Sequence, residues 1–177
     1  VDLGLSTTPT VEVMVTDLHA DGGIILTASH NPKEWNALKL LNAKGEFVSA
    51  EDGAQILAFA DKDDYVFAEV DDLGSYETFD DAIDLHIDKI LALPLVNADL
   101  IKSRKFKVAI DAVNSTGGIA IPKLLERLGV IHYDMYCEPN GQFPHNLEPL
   151  KEHLGDTCKK VEKEYEDFGL VVEPDVD

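Results

Sequence analysis

Positive charge is scarce in this sequence. Lys and Arg number 15 against 34 Asp and Glu, for a net charge of −19 over 177 residues. A chain this acidic repels nucleic-acid backbones and anionic membranes, which need cationic side chains to displace counterions. No nucleic-acid or membrane partner is therefore expected. Cysteine is equally sparse: Cys137 and Cys158 fit no metal-ligand or redox spacing and read as two reduced thiols in a cytoplasmic protein. No apolar run reaches the length of a bilayer span, and no secretory signal opens the chain. Its first residue is Val1, not Met, so a piece of a longer protein is the expectation. Internal repeats and low-complexity tracts are absent. What is present in quantity is apolar surface, 45% of residues, enough for a real core.

Strand and helix patterns alternate, which predicts an α/β architecture. Gly23–Thr27 reads as a buried strand and Leu38–Leu41 as another. Val11–Val15 suits either the close of a helix or its interior. Ser49 and Asp52 form a capping-box-like start for a helix to about Ala60. Asp61–Asp81 reads mostly as loop. Ile83, Ile87, Ile90 and Leu91 recur at helical spacing up to Pro94. Asn97–Lys105 reads as a connection between two domains, 1–98 and 99–177; its cluster Lys102, Arg104, Lys105 and Lys107 reads as solvated linker. A βαβ unit follows, with strands Phe106–Asp111 and Val130–Tyr136 around a helix Ile119–Leu128. The turn Asn114–Gly118 lacks the G-x-G-x-x-G spacing of a dinucleotide site. A helix from Leu150 to about Tyr165 and a strand Phe168–Val172 complete the pattern.

Two loops hold chemistry. Ser29 follows a strand and precedes Asn31-Pro32, at the end of the strand where sites gather in α/β sheets. Its hydroxyl is a weak nucleophile, and His30 and Lys39 are the nearby groups able to assist it. The plainer alternative is a turn in which Ser29 bonds only its own backbone. Glu173, Asp175 and Asp177 alternate after the last strand. Three carboxylates so close need a cation, and hard oxygen donors suit Mg²⁺ or Ca²⁺. Here the plainer alternative is a frayed acidic terminus.

The run Gly23 to Pro32, continuing into Trp35-Asn36-Ala37-Leu38-Lys39, resembles the active-site segment of the α-D-phosphohexomutases, the phosphoglucomutase and phosphomannomutase enzymes. The terminal Glu173–Asp177 resembles their magnesium loop. The resemblance spans the whole chain, from late in the family's first domain to nearly the end of its second. It implies a phosphoglucomutase-like fold of two consecutive α/β domains with mixed sheets. It also implies interconversion of hexose 1-phosphate and 6-phosphate through a phosphoserine and a bisphosphate. Ser29 would carry the phosphoryl group, His30 would assist and position it, and Lys39 would act as general acid or base toward a hydroxyl of the phosphorylated hexose. Mg²⁺ would be held by Glu173, Asp175, Asp177 and a phosphate oxygen on Ser29.

Three departures stand out. The family has Asp where Glu173 stands, so ligand distance or denticity changes with the added methylene. It has Gly at Ala37. Its arginine-containing motifs and two later domains, which grip the sugar, lie outside these residues, which implies that the chain alone is inactive. Two other readings compete: a non-catalytic binding or regulatory module on the same fold, and a haloacid-dehalogenase-like phosphotransferase with Asp175 as nucleophile and Asp177 as acid.

Overall fold

The computed structural model describes residues 1–177 except Lys33, Asp63, Asp64 and Tyr165. Helix α1, Thr8–Asp17, comes first. Thr7 caps it by accepting from Thr10 N at 3.2 Å, and Pro9 presets the first turn. Val11–Val15 therefore lies in the helix interior. Strands β1 (Gly22–Thr27) and β2 (Ala37–Asn42) pair antiparallel, with Ile25 opposite Lys39 and Thr27 opposite Ala37. Side chains of facing residues share one side of the sheet. On that side Ile25 and Leu41 join Val15 of α1 in a small core, so Thr27 and Lys39 emerge on the same side. On the other side Ile24 and Leu26 are exposed.

Helix α2 (Ala50–Lys62) opens with the expected cap. Ser49 Oγ donates to Asp52 Oδ2 at 2.7 Å, and Asp52 N donates back to Ser49 Oγ at 3.1 Å. After a stretch with a short 3₁₀ turn at Val70–Asp72, helix α3 (Ala82–Ala92) packs on α1, with Ala82, Ile83 and Ile87 buried. The predicted linker at Asn97–Lys105 is instead a helix, α4, over Ala98–Arg104. Asn97 caps it by accepting from Leu100 N at 2.9 Å, and Lys105 ends it in the left-handed region at φ 52°. Its basic residues thus sit in a last helical turn, where cations complement the helix dipole.

The second sheet is parallel, in the order β4-β3-β5, from β3 (Lys107–Asp111), β4 (Ile131–Met135) and β5 (Phe168–Val171). Helix α5 (Gly117–Arg127) links β3 to β4. Helix α6 (Gly155–Glu164) links β4 to β5. Val108, Ile110, Ala112, Leu125, Leu128 and Val130 form its buried core. The expected helix from Leu150 begins only at Gly155. Leu150 and Leu154 share the spacing of Cys158, but Leu154 O accepts the entering bond from Cys158 N at 2.9 Å, and the residues before it bond within turns. The expected end at Tyr165 lies outside the described residues.

The chain leaves β3 toward β4 on one side and returns to β5 on the other. The carboxyl ends of β3 and β5 therefore flank a topological switch point, the place where open α/β sheets bind ligands. The Glu173–Asp177 loop follows β5 there. Among the described residues, no helix is long and apolar enough to cross a membrane.

Candidate active site

Ser29 sits two residues past β1 with φ 50°, a left-handed conformation unusual for a residue with a side chain. Its amide donates to Thr27 Oγ1 at 2.9 Å. Asn31 closes the turn, with its amide and its side-chain Nδ2 each 3.0 Å from Ala28 O. The turn-shaping role of Asn31 is thus real, and it holds the Ser29 hydroxyl outward, half-buried. Ser29 Oγ lies 3.4 Å from His30 Nδ1 and donates to Glu173 Oε2 at 3.3 Å across 144 residues of sequence.

The terminal loop is built, not frayed. Pro174 O accepts from Ser115 Oγ and Thr116 Oγ1, both at 2.7 Å. Asp175 O accepts from Thr8 N at 2.8 Å. Asp177 N donates to Glu173 Oε1 at 3.0 Å, which closes the loop on itself. Val176 is left-handed, at φ 62°, a conformation that costs a β-branched residue energy and persists only where its surroundings enforce it. Gly117 is part of that enforcement. A Cβ there would lie 2.5 Å from Val172 Cγ2 and 3.3 Å from Val176 Cγ2.

Three carboxylates converge here. Oxygens of Glu173, Asp175 and Asp177 lie within 4.8 Å of one another, with Glu173 and Asp175 buried. Lys39 Nζ reaches into them, 2.8 Å from Asp175 Oδ2 and bonded also to Asp177 Oδ2. Thr8 Oγ1 donates to the same Asp175 oxygen at 3.1 Å. The other, Oδ1, is buried with no hydrogen-bond partner among the described residues. A buried carboxylate oxygen in that condition is costly unless something cationic engages it. Three hard oxygen donors with one oxygen unclaimed fit Mg²⁺ or Ca²⁺.

The electrostatics agree with crowding. Burial pushes the Glu173 carboxyl up to about 7, and the neighbouring Asp175 and Asp177 add to the rise against the bond from Asp177 N. Burial also opposes charge on Asp175, but hydrogen bonds with Glu173, Lys39 and Thr27 outweigh it and hold its pKa low. Burial likewise works against the Lys39 ammonium, yet its pairs with Asp175 and Asp177 raise its pKa overall. Glu12 of α1 is raised too, first by burial and then by the charge of Asp177. Neighbouring like charges and desolvation of this kind gather where a site has work to do.

The structure thus brings Ser29, His30, Lys39, Glu173, Asp175 and Asp177 into one place. A model of phosphoglucomutase/phosphomannomutase alpha/beta/alpha domain II matches residues 84–177, and one of domain I matches residues 1–66. The chain belongs to this family. A phosphoglucomutase/phosphomannomutase of Thermococcus kodakarensis is 32% identical over 178 residues, all of this chain and 38% of the relative. A phosphomannomutase/phosphoglucomutase of Pseudomonas aeruginosa is 32% identical over 182 residues, 99% of this chain and 36% of the relative. The crystal structure of a family protein from Burkholderia thailandensis superposes with a TM-score of 0.82 at 23% identity. It matches 98% of this chain and 38% of that one, a likeness of fold. The chain spans less than two fifths of the length of these mutases.

Residues that sequence reasoning passed over support this family site from behind. Thr8 addresses Asp175, and Ser115 and Thr116 hold Pro174. Thr7-Thr8-Pro9 is a helix-start signal that marks where α1 begins, though not what its first turn touches. Asp111, buried at the end of β3, accepts from Thr157 Oγ1 at 2.7 Å and pairs with His145 Nε2 at 3.0 Å. It ties the loop before α6 to the sheet.

Proposed function

We propose that this chain is the serine and metal half of a phosphohexomutase that interconverts hexose 1-phosphate and hexose 6-phosphate. Its two units, 1–98 and 99–177, each contribute one loop. One observation carries the reading: three carboxylates whose oxygens lie within 4.8 Å of one another are met by a serine hydroxyl on Glu173 and a lysine on Asp175 and Asp177, all from distant stretches.

In this reading Ser29 Oγ is the phosphoryl carrier. The phosphoryl group leaves Oγ for a free hydroxyl of the hexose monophosphate; the P–Oγ bond breaks as the new P–O bond forms, and the hydroxyl proton ends on Oγ. The resulting bisphosphate then returns its other phosphoryl group to Oγ. Phosphoryl transfer depends on positioning and charge neutralisation, and the left-handed turn at Ser29 supplies the first. His30 Nδ1, beside Oγ, orients the hydroxyl. Lys39, charged as paired here, serves as the acid toward a sugar oxygen and becomes a base once its proton has left. Glu173, Asp175 and Asp177 would hold Mg²⁺, which when bound neutralises charge on the transferring group. The Asp-to-Glu difference at position 173 is compatible with that role: the longer side chain reaches both Asp177 N and Ser29 Oγ.

The remaining groups of the reaction, those that select and turn the sugar, would lie outside these residues, so the chain alone is inactive in this reading. Free Cys137 and Cys158 suit a reducing cytoplasm. Conversion of glucose 1-phosphate to glucose 6-phosphate by the native protein tests the reading. Ser29→Ala should lower kcat at least ~10³-fold, the scale on which loss of a covalent nucleophile acts. Undiminished turnover in that variant would sink it.

A further inference from the structure

Lys39 stands in two roles that conflict. Its ammonium is the acid-base group of the proposed reaction, yet it lies 2.8 Å from Asp175 Oδ2 and on Asp177 Oδ2. Those are two of the three carboxylates assigned to the divalent cation. The side chain is well enough covered, at 20% exposure, for the pairing to matter. Two cations cannot both sit against Asp175 and Asp177 without strong repulsion at such short separations.

We propose that Lys39 is a built-in counter-ion that competes with the divalent cation for Asp175 and Asp177, so that cation binding and release of the ammonium are one event. This rests on the metal reading above. Without a metal, the ammonium offsets part of the charge of a crowded, half-buried carboxylate trio. With one, the same carboxylates are claimed and Lys39 is set free. The ring of Phe47, its centroid 5.8 Å from Nζ, already lies beside the paired ammonium. By linkage, the factor by which Lys39 weakens the cation is the factor by which the cation weakens the hold on Lys39. The lysine would then be presented to substrate only in a loaded site.

The test is a calorimetric titration of the native protein with Mg²⁺, beside Lys39→Met and Lys39→Arg. Lys39→Met should bind Mg²⁺ about tenfold tighter than the wild type, the effect expected from removing a partly buried ion-pair competitor. Lys39→Arg, which keeps the charge, should stay within roughly threefold of the wild type. Equal or weaker binding by Lys39→Met overturns the competition while leaving the metal site intact. Binding by none of the three proteins overturns the metal reading itself, and the competition with it. A second readout needs no variant. The rate at which an amine-acylating reagent labels Lys39, followed by mass spectrometry, should rise severalfold on saturation with Mg²⁺, because a released amine is easier to deprotonate. An unchanged rate at saturation overturns the proposal, whether or not Lys39→Met folds.

Discussion

Thr8 grips Asp175 twice. Its amide donates to the Asp175 carbonyl at 2.8 Å and its hydroxyl to Asp175 Oδ2 at 3.1 Å, so the first turn of α1 is fastened to a loop 167 residues later. Thr8→Val keeps the shape and removes the hydroxyl. It leaves a buried carboxylate oxygen short of a donor, which costs about 1–3 kcal/mol. Thermal or urea unfolding should show that loss, and Thr8→Ser should recover most of it. Equal stability of Thr8→Val and wild type would mean that the bond contributes nothing.

Gly117 tests how tightly the loop is clamped. A methyl at this position would meet Val172 Cγ2 at 2.5 Å, and a β-branched valine has little freedom to step aside. Gly117→Ala should destabilise by about 1–3 kcal/mol through overpacking. Adding Val172→Ala should recover part of that cost, which a double-mutant cycle of unfolding free energies reads directly. Additive losses would place the strain elsewhere.

Most of the fold was legible in the sequence because most of it obeys local rules. Ser49 and Asp52 cap α2 as their spacing dictates, and Gly23–Thr27 and Leu38–Leu41 do form strands, though the first, read as buried, leaves Ile24 and Leu26 exposed on one face. The misreadings have local causes as well. Asn97–Lys105 carries too little apolar periodicity to signal a helix, but Asn97 caps one. Leu150 and Leu154 share the spacing of Cys158 without lying in its helix. At the site, the sequence held the participants but not their partners. No local pattern says that Lys39 meets Asp175, that Thr8 bonds a loop at the other end of the chain, or that Asp175 Oδ1 is buried without a donor among the described residues. Those relations arise only when α1, the β1–β2 hairpin and the parallel sheet pack together.

Glu173 gives stability a pH dependence of its own. Its carboxyl is raised to about 7 in the folded protein, against an ordinary value of 4.5. The folded state therefore binds this proton more tightly than the unfolded chain does. The contribution is fully present below pH 4.5 and is lost as pH rises toward 7. Without divalent cation, the unfolding free energy of the wild type should fall across that window relative to Glu173→Gln, whose neutral amide does not titrate. Addition of Mg²⁺ should release a proton, measurable as a buffer-dependent heat of binding. Parallel pH profiles for the two proteins would contradict the assignment.

The central claim is that Ser29 Oγ takes and gives the phosphoryl group. The most direct measurement is peptide mapping by mass spectrometry of the native protein after exposure to a hexose 1,6-bisphosphate with Mg²⁺. One phosphate-sized increment should appear on the peptide containing Ser29 and be absent from Ser29→Ala. Phosphate on Asp175, or undiminished labelling of Ser29→Ala, would contradict it.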